Sequence, residues 1–192
     1  MFAIRHTLIA LAVASTLALA ACNSGQDNSA ANPPAAAGAT PAVSASPLTA
    51  DQVNVQMTLQ GAPTLSADGQ FIDVTVNLAN HGKTTLTSTG SNPVNLGAHS
   101  ADANGAIVDN DLARAAIPDT VPNSQATVTI QLPLDKIVGN SAQILPVQEG
   151  VAWFDTWGTK PLVVGPFNSC ASTAMGKVCA ADGKPLLPSA AH

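Results

Sequence analysis

Three separated stretches of this chain alternate apolar and polar residues without a fault: Val53-Asn54-Val55-Gln56-Met57-Thr58-Leu59, Ile72-Asp73-Val74-Thr75-Val76-Asn77-Leu78 and Ala126-Thr127-Val128-Thr129-Ile130-Gln131-Leu132. A period of two puts every second side chain on one face, so each stretch reads as a β-strand with one buried side. Helical periodicity is missing at any useful length. Only Asp135 to Gly139 offers room for one helical turn, after Pro133 stops the third stretch.

Turn chemistry divides the rest. Asp68-Gly69, Asn80-His81-Gly82-Lys83, Asp102-Ala103-Asn104-Gly105 and Pro122-Asn123-Ser124 are reversals built from residues that tolerate positive φ or fix it. The first two alternating stretches are expected to pair as a hairpin with a long loop. Further strands are expected at Pro93 to Ser100, at Ile107-Val108, at Arg114 to Ile117, at Gln143 to Glu149, at Val151 to about Asp155 and at Pro161 to Val164, with a weak edge strand at Thr84 to Thr89. About seven to eight short strands with regular turn signals predict an all-β fold, an antiparallel β-sandwich.

The large apolar surfaces concentrate in Val147 to Gly158, which holds both tryptophans and the only glutamate of a chain without tyrosine. Strict alternation from Leu145 and Val147 places Glu149 on the same face as those residues. On a buried face a lone carboxylate is costly, so a β-bulge at Gly150 is expected to change parity. Either Trp153 or the pair Ala152/Phe154 then faces the core. A large aromatic in mid-strand of a small sandwich favours Trp153 as the buried one.

Residues 1–21 read as an export signal: a short positive start with Arg5, then an apolar run from Thr7 to Ala20 that ends before it could cross a bilayer. Its exit, Leu19-Ala20-Ala21-Cys22, resembles the lipobox of bacterial lipoproteins, which implies a mature chain starting at Cys22 and carrying acyl chains of the palmitate type. Several such chains hold a protein stably on its membrane. Asn23, in place of the aspartate that resembles an inner-membrane retention signal, favours the outer membrane with the protein facing the periplasm. Residues 22–50, rich in Ala, Pro and Ser, bury too little surface to fold and are expected to form a disordered tether. About 28 such residues span ~30 Å on average and ~95 Å when taut.

The sandwich is expected over residues 51–165, followed by a loop and tail over 166–192. Cys170 and Cys179 are the cysteines left once Cys22 is lipidated. An even pair in an oxidising compartment reads as a disulfide. Without Arg5 the mature chain has six basic residues against twelve acidic ones, with no basic stripe, which argues against a nucleic-acid partner.

Catalytic arrangements are missing from the pattern: there is no G-x-S-x-G elbow, no phosphate-binding glycine loop and no H-E-x-x-H. No cofactor or resident metal is expected, and no enzymatic activity. Asp102, Asn104, Asp109 and Asp111 bracket one hairpin but do not have the spacing of an EF-hand loop, and turn-forming Asp and Asn are common for conformational reasons alone. The candidate ligand-binding residues are Trp157 and Asp155 at a strand end, His99, and Arg114, the only arginine of the mature chain. For Arg114 the competing role is an ion pair with Asp111 or Asp109. For His99 it is a hydrogen bond at a strand end, and for Trp157 it is capping the open end of the sandwich.

The pieces Asn80-His81-Gly82, Pro93-Val94-Asn95-Leu96-Gly97-Ala98-His99, Asp111-Leu112-Ala113-Arg114 with Ile117-Pro118, Val147-Gln148-Glu149-Gly150-Val151-Ala152-Trp153-Phe154 and Pro161-Leu162-Val163-Val164 together look like a bacterial β-sandwich module. Over about residues 51–165 the chain resembles the C-terminal, O-polysaccharide-binding domain of the ATP-binding subunit of O-antigen exporters, and is similar to modules found beside glycosyltransferases. The resemblance implies an immunoglobulin-like sandwich and a non-catalytic, glycan-binding role in the cell envelope. The alternative is a structural lipoprotein that docks a protein partner through an open sheet edge.

Overall fold

The structure, a computed structural model, describes residues 46–171 and 178–189. Within them the expected all-β sandwich forms from two antiparallel sheets. In the first, β3 (Phe71–Asn80) is central: β6 (Ser124–Pro133) pairs along its whole length on one side, and β1 (Val55–Leu59) and the short β2 (Thr64–Leu65) share the other. The predicted hairpin therefore exists as β1 with β3, and its long loop carries β2. In the second sheet the order is β5 (Ile107–Ala116), β4 (Val94–Ala101), β7 (Ser141–Gln148), with β8 (Ala152–Trp153) and β9 (Leu162–Val164) sharing the far side of β7.

The three alternating stretches behave as their period demands. Ile72, Val74, Val76 and Leu78 of β3 and Val128, Ile130 and Leu132 of β6 are buried, and they form one core with Leu96, Ala98, Ala142 and Ile144 from the opposite sheet. Each Val, Leu or Ile among them contributes roughly 1.5–3 kcal/mol by leaving water. The single helical turn, α1 (Leu134–Ile137), follows β6 directly and plugs the core with the fully buried Ile137.

Three expectations are corrected. The first concerns Ile107-Val108 and Arg114 to Ile117: the former and Arg114 to Ala116 belong to one ten-residue strand, β5, which ends before Ile117. Its register to β4 slips between Ala98↔Ala113 and Ser100↔Asp109, so that His99 alone faces Asn110, Asp111 and Leu112. Such an irregularity breaks the period of two, which is why the sequence shows two fragments.

The second correction is at Glu149 and Gly150. Strand β7 is buried on both sides: Ala142 and Ile144 face the core, while Leu145 and Val147 lie on the other face and are also covered. Glu149 therefore follows Leu145 and Val147 to the outer face of the sheet, where it has partners. Gly150 is not a bulge but the positive-φ position (72°) of the turn from Gln148 to Val151 that joins β7 to β8, closed by the Val151 N–H on the Gln148 carbonyl at 3.0 Å.

The third follows from this turn: Gln148 pairs with Ala152 and Val147 with Trp153, so Trp153 takes the outer face and Phe154, not Trp153, is the fully buried aromatic of this segment. The packed body also reaches beyond the alternating segments. Leu48 at one end and Phe167, Val178 and Leu186 at the other join the core. On the edge of β2 away from β3, the Leu65 N–H donates to the Leu187 carbonyl and the Ser189 N–H to the Leu65 carbonyl, extending the first sheet.

Candidate functional site

The aromatic segment turns three rings in three directions. Trp153, still extended, points away from the core; Phe154 points into it; and a 3-10 turn, Phe154–Trp157, then brings Trp157 back above Phe154 with ring centroids 5.1 Å apart. Side chains three apart eclipse in a 3-10 turn, which explains the pairing. Gly158, at φ 88°, ends the turn, its N–H on the carbonyl of Asp155 at 2.9 Å. Asp155 is exposed, and its carboxylate accepts the Thr156 N–H.

Two polar constellations result. The first lies on the outer face of the second sheet, around Trp153. The His99 ring packs against the indole, tilted by 41° with 3.8 Å between centroids, and the Arg114 guanidinium lies 4.4 Å from its centre. Arg114 bonds Asp111 at 2.8 Å and Glu149 at 3.1 Å, and Glu149 also accepts from Asn95 at 2.9 Å. His99 lies inside β4 rather than at a strand end and is 8 % exposed; its Nδ1–H donates to the Asn110 carbonyl at 2.8 Å. That carbonyl belongs to the irregular stretch of β5. Every charged member of this cluster is engaged by another, so it reads as a clasp fixing β4, β5 and the β7–β8 turn.

The second constellation is a cleft of about 550 Å³ between the edge strands β1 and β9, lined by Val53 to Met57, His81, and Trp157 to Val163. Trp157, half-buried against Phe154, forms one wall. Gln56 of β1 and Asn54 just before it bring amide side chains that are exposed and have no hydrogen-bond partner among the described residues; His81 and Lys160 are exposed as well. The backbone of β1 adds more. The His81 N–H donates to Asn54 O, the Lys83 N–H to Gln52 O and the Gln60 N–H to Thr75 O. In an antiparallel pair bonded residues alternate, so Asn54, Gln56 and Thr58 are spent on β3, while Val55 and Met57 turn their N–H and C=O groups outward along the cleft.

Of the ligand-binding candidates read from sequence, Trp157 lines the cleft and Asp155 lies on the same 3-10 turn without lining it. His99 and Arg114 belong to the Trp153 cluster instead. Arg114 makes the ion pair with Asp111 considered above, together with one to Glu149 that the sequence did not suggest. Nothing in the local sequence of Asn54, Gln56 or Lys160 announces that β1 and β9 flank one cleft; His81, with His99 one of two histidines open to a ligand role by sequence, joins that lining. Cys170 and Cys179 form a disulfide, with Cα atoms 5.2 Å apart, beside the pairing of β10 (Asn168–Ser169) with β11 (Val178–Cys179). Cys22 and the export signal lie outside the described residues.

The acidic hairpin residues are used locally. Asp102 accepts the N–H groups of Asn104 and Ala106, and Asp109 accepts that of Asp111. Among the described residues, no three His, Cys, Asp or Glu side chains gather in a way that could hold a metal ion.

Comparison of the chain with family models, with curated proteins and with solved structures returned no match.

Proposed function

We propose that the protein is a non-catalytic, lipid-anchored binding module of the bacterial envelope, with cell-envelope glycan as its ligand and the cleft beside Trp157 as its site. The observation that carries this reading is the cleft's composition: one aromatic ring held in place from behind by Phe154, beside free amide, imidazole and ammonium groups. A sugar ring presents an apolar C–H face to stack and hydroxyls to bond, and these walls supply both. The resemblance to O-polysaccharide-binding modules, with the immunoglobulin-like sandwich it implies, supports the same reading.

The test is calorimetric titration of the purified full chain with envelope polysaccharide fragments, comparing wild type with Trp157→Ala. Loss of one stacking contact is worth ~1 kcal/mol by analogy with other aromatic contacts, roughly a fivefold loss of affinity. A Trp157→Ala protein that melts cooperatively and binds as tightly as wild type would remove the cleft from consideration.

A second reading has an observation of its own. The free edge of β1 is flanked by exposed apolar side chains, Leu59 (40 % exposed) on β1 and Val163 (60 %) on β9. A protein partner adding a strand there would use the outward backbone groups of Val55 and Met57. Proline at position 57, which removes an outward N–H without touching β3, would separate strand addition from sugar stacking.

The anchor belongs to the same proposal. Acylation of Cys22 in the outer membrane gives the module a tethered position facing the periplasm. Mass spectrometry of the mature N-terminus should find acylated cysteine, and Cys22→Ala should leave the chain unprocessed or soluble. A soluble, unacylated wild-type protein would overturn the anchor while leaving the cleft untouched.

A further inference from the structure

The charges around the cleft say more about its ligand than its shape does. The chain carries a formal net charge of −5, yet among the described residues no Asp or Glu lines the cleft. Lys160, which does line it, makes no ion pair or hydrogen bond with any described residue. The other described cations mostly do: Lys83 is paired with Asp51, Arg114 with Asp111 and Glu149, and Lys184 with Asp182. Lys136, on α1, is the remaining unpaired one, away from the cleft lining. The carboxylates nearest in sequence are engaged elsewhere, Asp51 with Lys83 and the Thr49 hydroxyl, and Asp155 with the Thr156 N–H.

We infer that the cleft is selective for an acidic sugar, a glycan unit bearing a carboxylate. This rests on the glycan reading above and specifies it. The ammonium of Lys160 is a compact single charge suited to one carboxylate. It is flanked by neutral donors, the Asn54 and Gln56 amides and the outward N–H groups of Val55 and Met57, that satisfy the second carboxylate oxygen and the ring hydroxyls. Trp157 takes the ring face. A doubly charged phosphate would call for a second cation or an arginine fork, and Arg114 is committed to the Trp153 cluster. With one lysine in an open cleft, the charge contact is worth only a few-fold in affinity and is screened by salt.

The experiment titrates the purified full chain with oligogalacturonate and with oligosialic acid, each beside its methyl ester, in which the charge is masked and the sugar kept. Tighter binding of at least one free acid than of its ester, by about threefold to fivefold and shrinking as salt is raised, is expected. Lys160→Gln should close that gap by bringing acid binding down toward the ester level, with the melting temperature unchanged because Lys160 is exposed and unpaired. Equal binding of acid and ester, or an acid preference that survives Lys160→Gln, overturns acid selectivity and leaves glycan binding standing. Binding of neither form of either sugar also overturns it. If the envelope polysaccharide fragments then fail to bind as well, glycan recognition falls with it.

Discussion

The indole of Trp153 occupies the space that a Cβ on Gly97 would need, with its Cη2 and Cζ3 atoms 2.6 and 2.7 Å from that position and the Arg114 guanidinium 3.0 Å from it. Gly97 pairs with Leu145 on one side and Arg114 on the other. A glycine in a central strand usually weakens it, and here it marks the close approach of a ring. Two faces of the same tryptophan segment are thereby fixed, Trp153 outside by Gly97 and Phe154 inside by the core.

Gly97→Ala is therefore expected to push Trp153 and Arg114 off the sheet. Overpacking of this kind costs about 1–3 kcal/mol, visible as a lowered melting midpoint and a changed tryptophan emission. Because the cleft is built on Trp157 and β1, its ligand affinity should hold. Unaltered stability would mean that the indole moves aside freely and that the clasp has little rigidity.

Arg114 and Glu149 should be energetically coupled. Their contact is partly exposed, with 28 % and 36 % of the side-chain surfaces accessible, so the pair is discounted toward the surface range of about 0.2–1 kcal/mol. A double-mutant cycle with Arg114→Met and Glu149→Gln, read from denaturant midpoints at low and high salt, should return a coupling in that range that falls as salt rises. A zero coupling at low salt would leave Arg114 held by Asp111 and by its contact with Trp153, with no contribution from Glu149.

The sequence is legible where the information is local. The alternation in β1, β3 and β6 is a property of consecutive residues, and it placed seven core side chains of β3 and β6 on the correct face. It failed where parity is set by a distant partner. Leu145 and Val147 look like core residues because β7 is covered on both faces, and the outer cover includes Trp153, their neighbour across a turn whose geometry depends on Gly150. Leu186 was hidden in a Pro/Ala-rich tail with no period to read. Trp157 stood out at a strand end, whereas its companions Asn54 and Lys160 become neighbours only when β1 and β9 come to flank one side of the sandwich.

The Cys170–Cys179 bridge should stabilise the whole sandwich rather than a loose tail. A loop this short restricts the unfolded chain by about 2.7 kcal/mol in the chain-entropy model. The gain reaches the core because Phe167, Val178 and Leu186, which flank the bridge in sequence, are buried in it. Replacing both cysteines by serine should lower the cooperative melting transition as a unit. Two separate transitions, or an unchanged main one, would show that the terminal segment comes away on its own.

Ser100 offers the opposite outcome, a substitution expected to strengthen the fold. It is fully buried on β4, opposite Ala142 of β7, and its hydroxyl finds no hydrogen-bond partner among the described residues. A buried polar group left unbonded costs on the order of 1–3 kcal/mol, whereas replacing it by an apolar group of similar shape removes that cost. Alanine keeps the Cβ and loses one oxygen, so the cavity term is small beside the desolvation term. Ser100→Ala should therefore raise the unfolding free energy by about 1 kcal/mol, a rise of a few degrees in melting temperature for a domain of this size. The neighbouring side chain of His99 points to the other face of the strand, so the Trp153 cluster should be unaffected, which unchanged tryptophan emission would verify. A loss of stability instead would show that the hydroxyl has a bonding partner, and that the β4–β7 pairing depends on it.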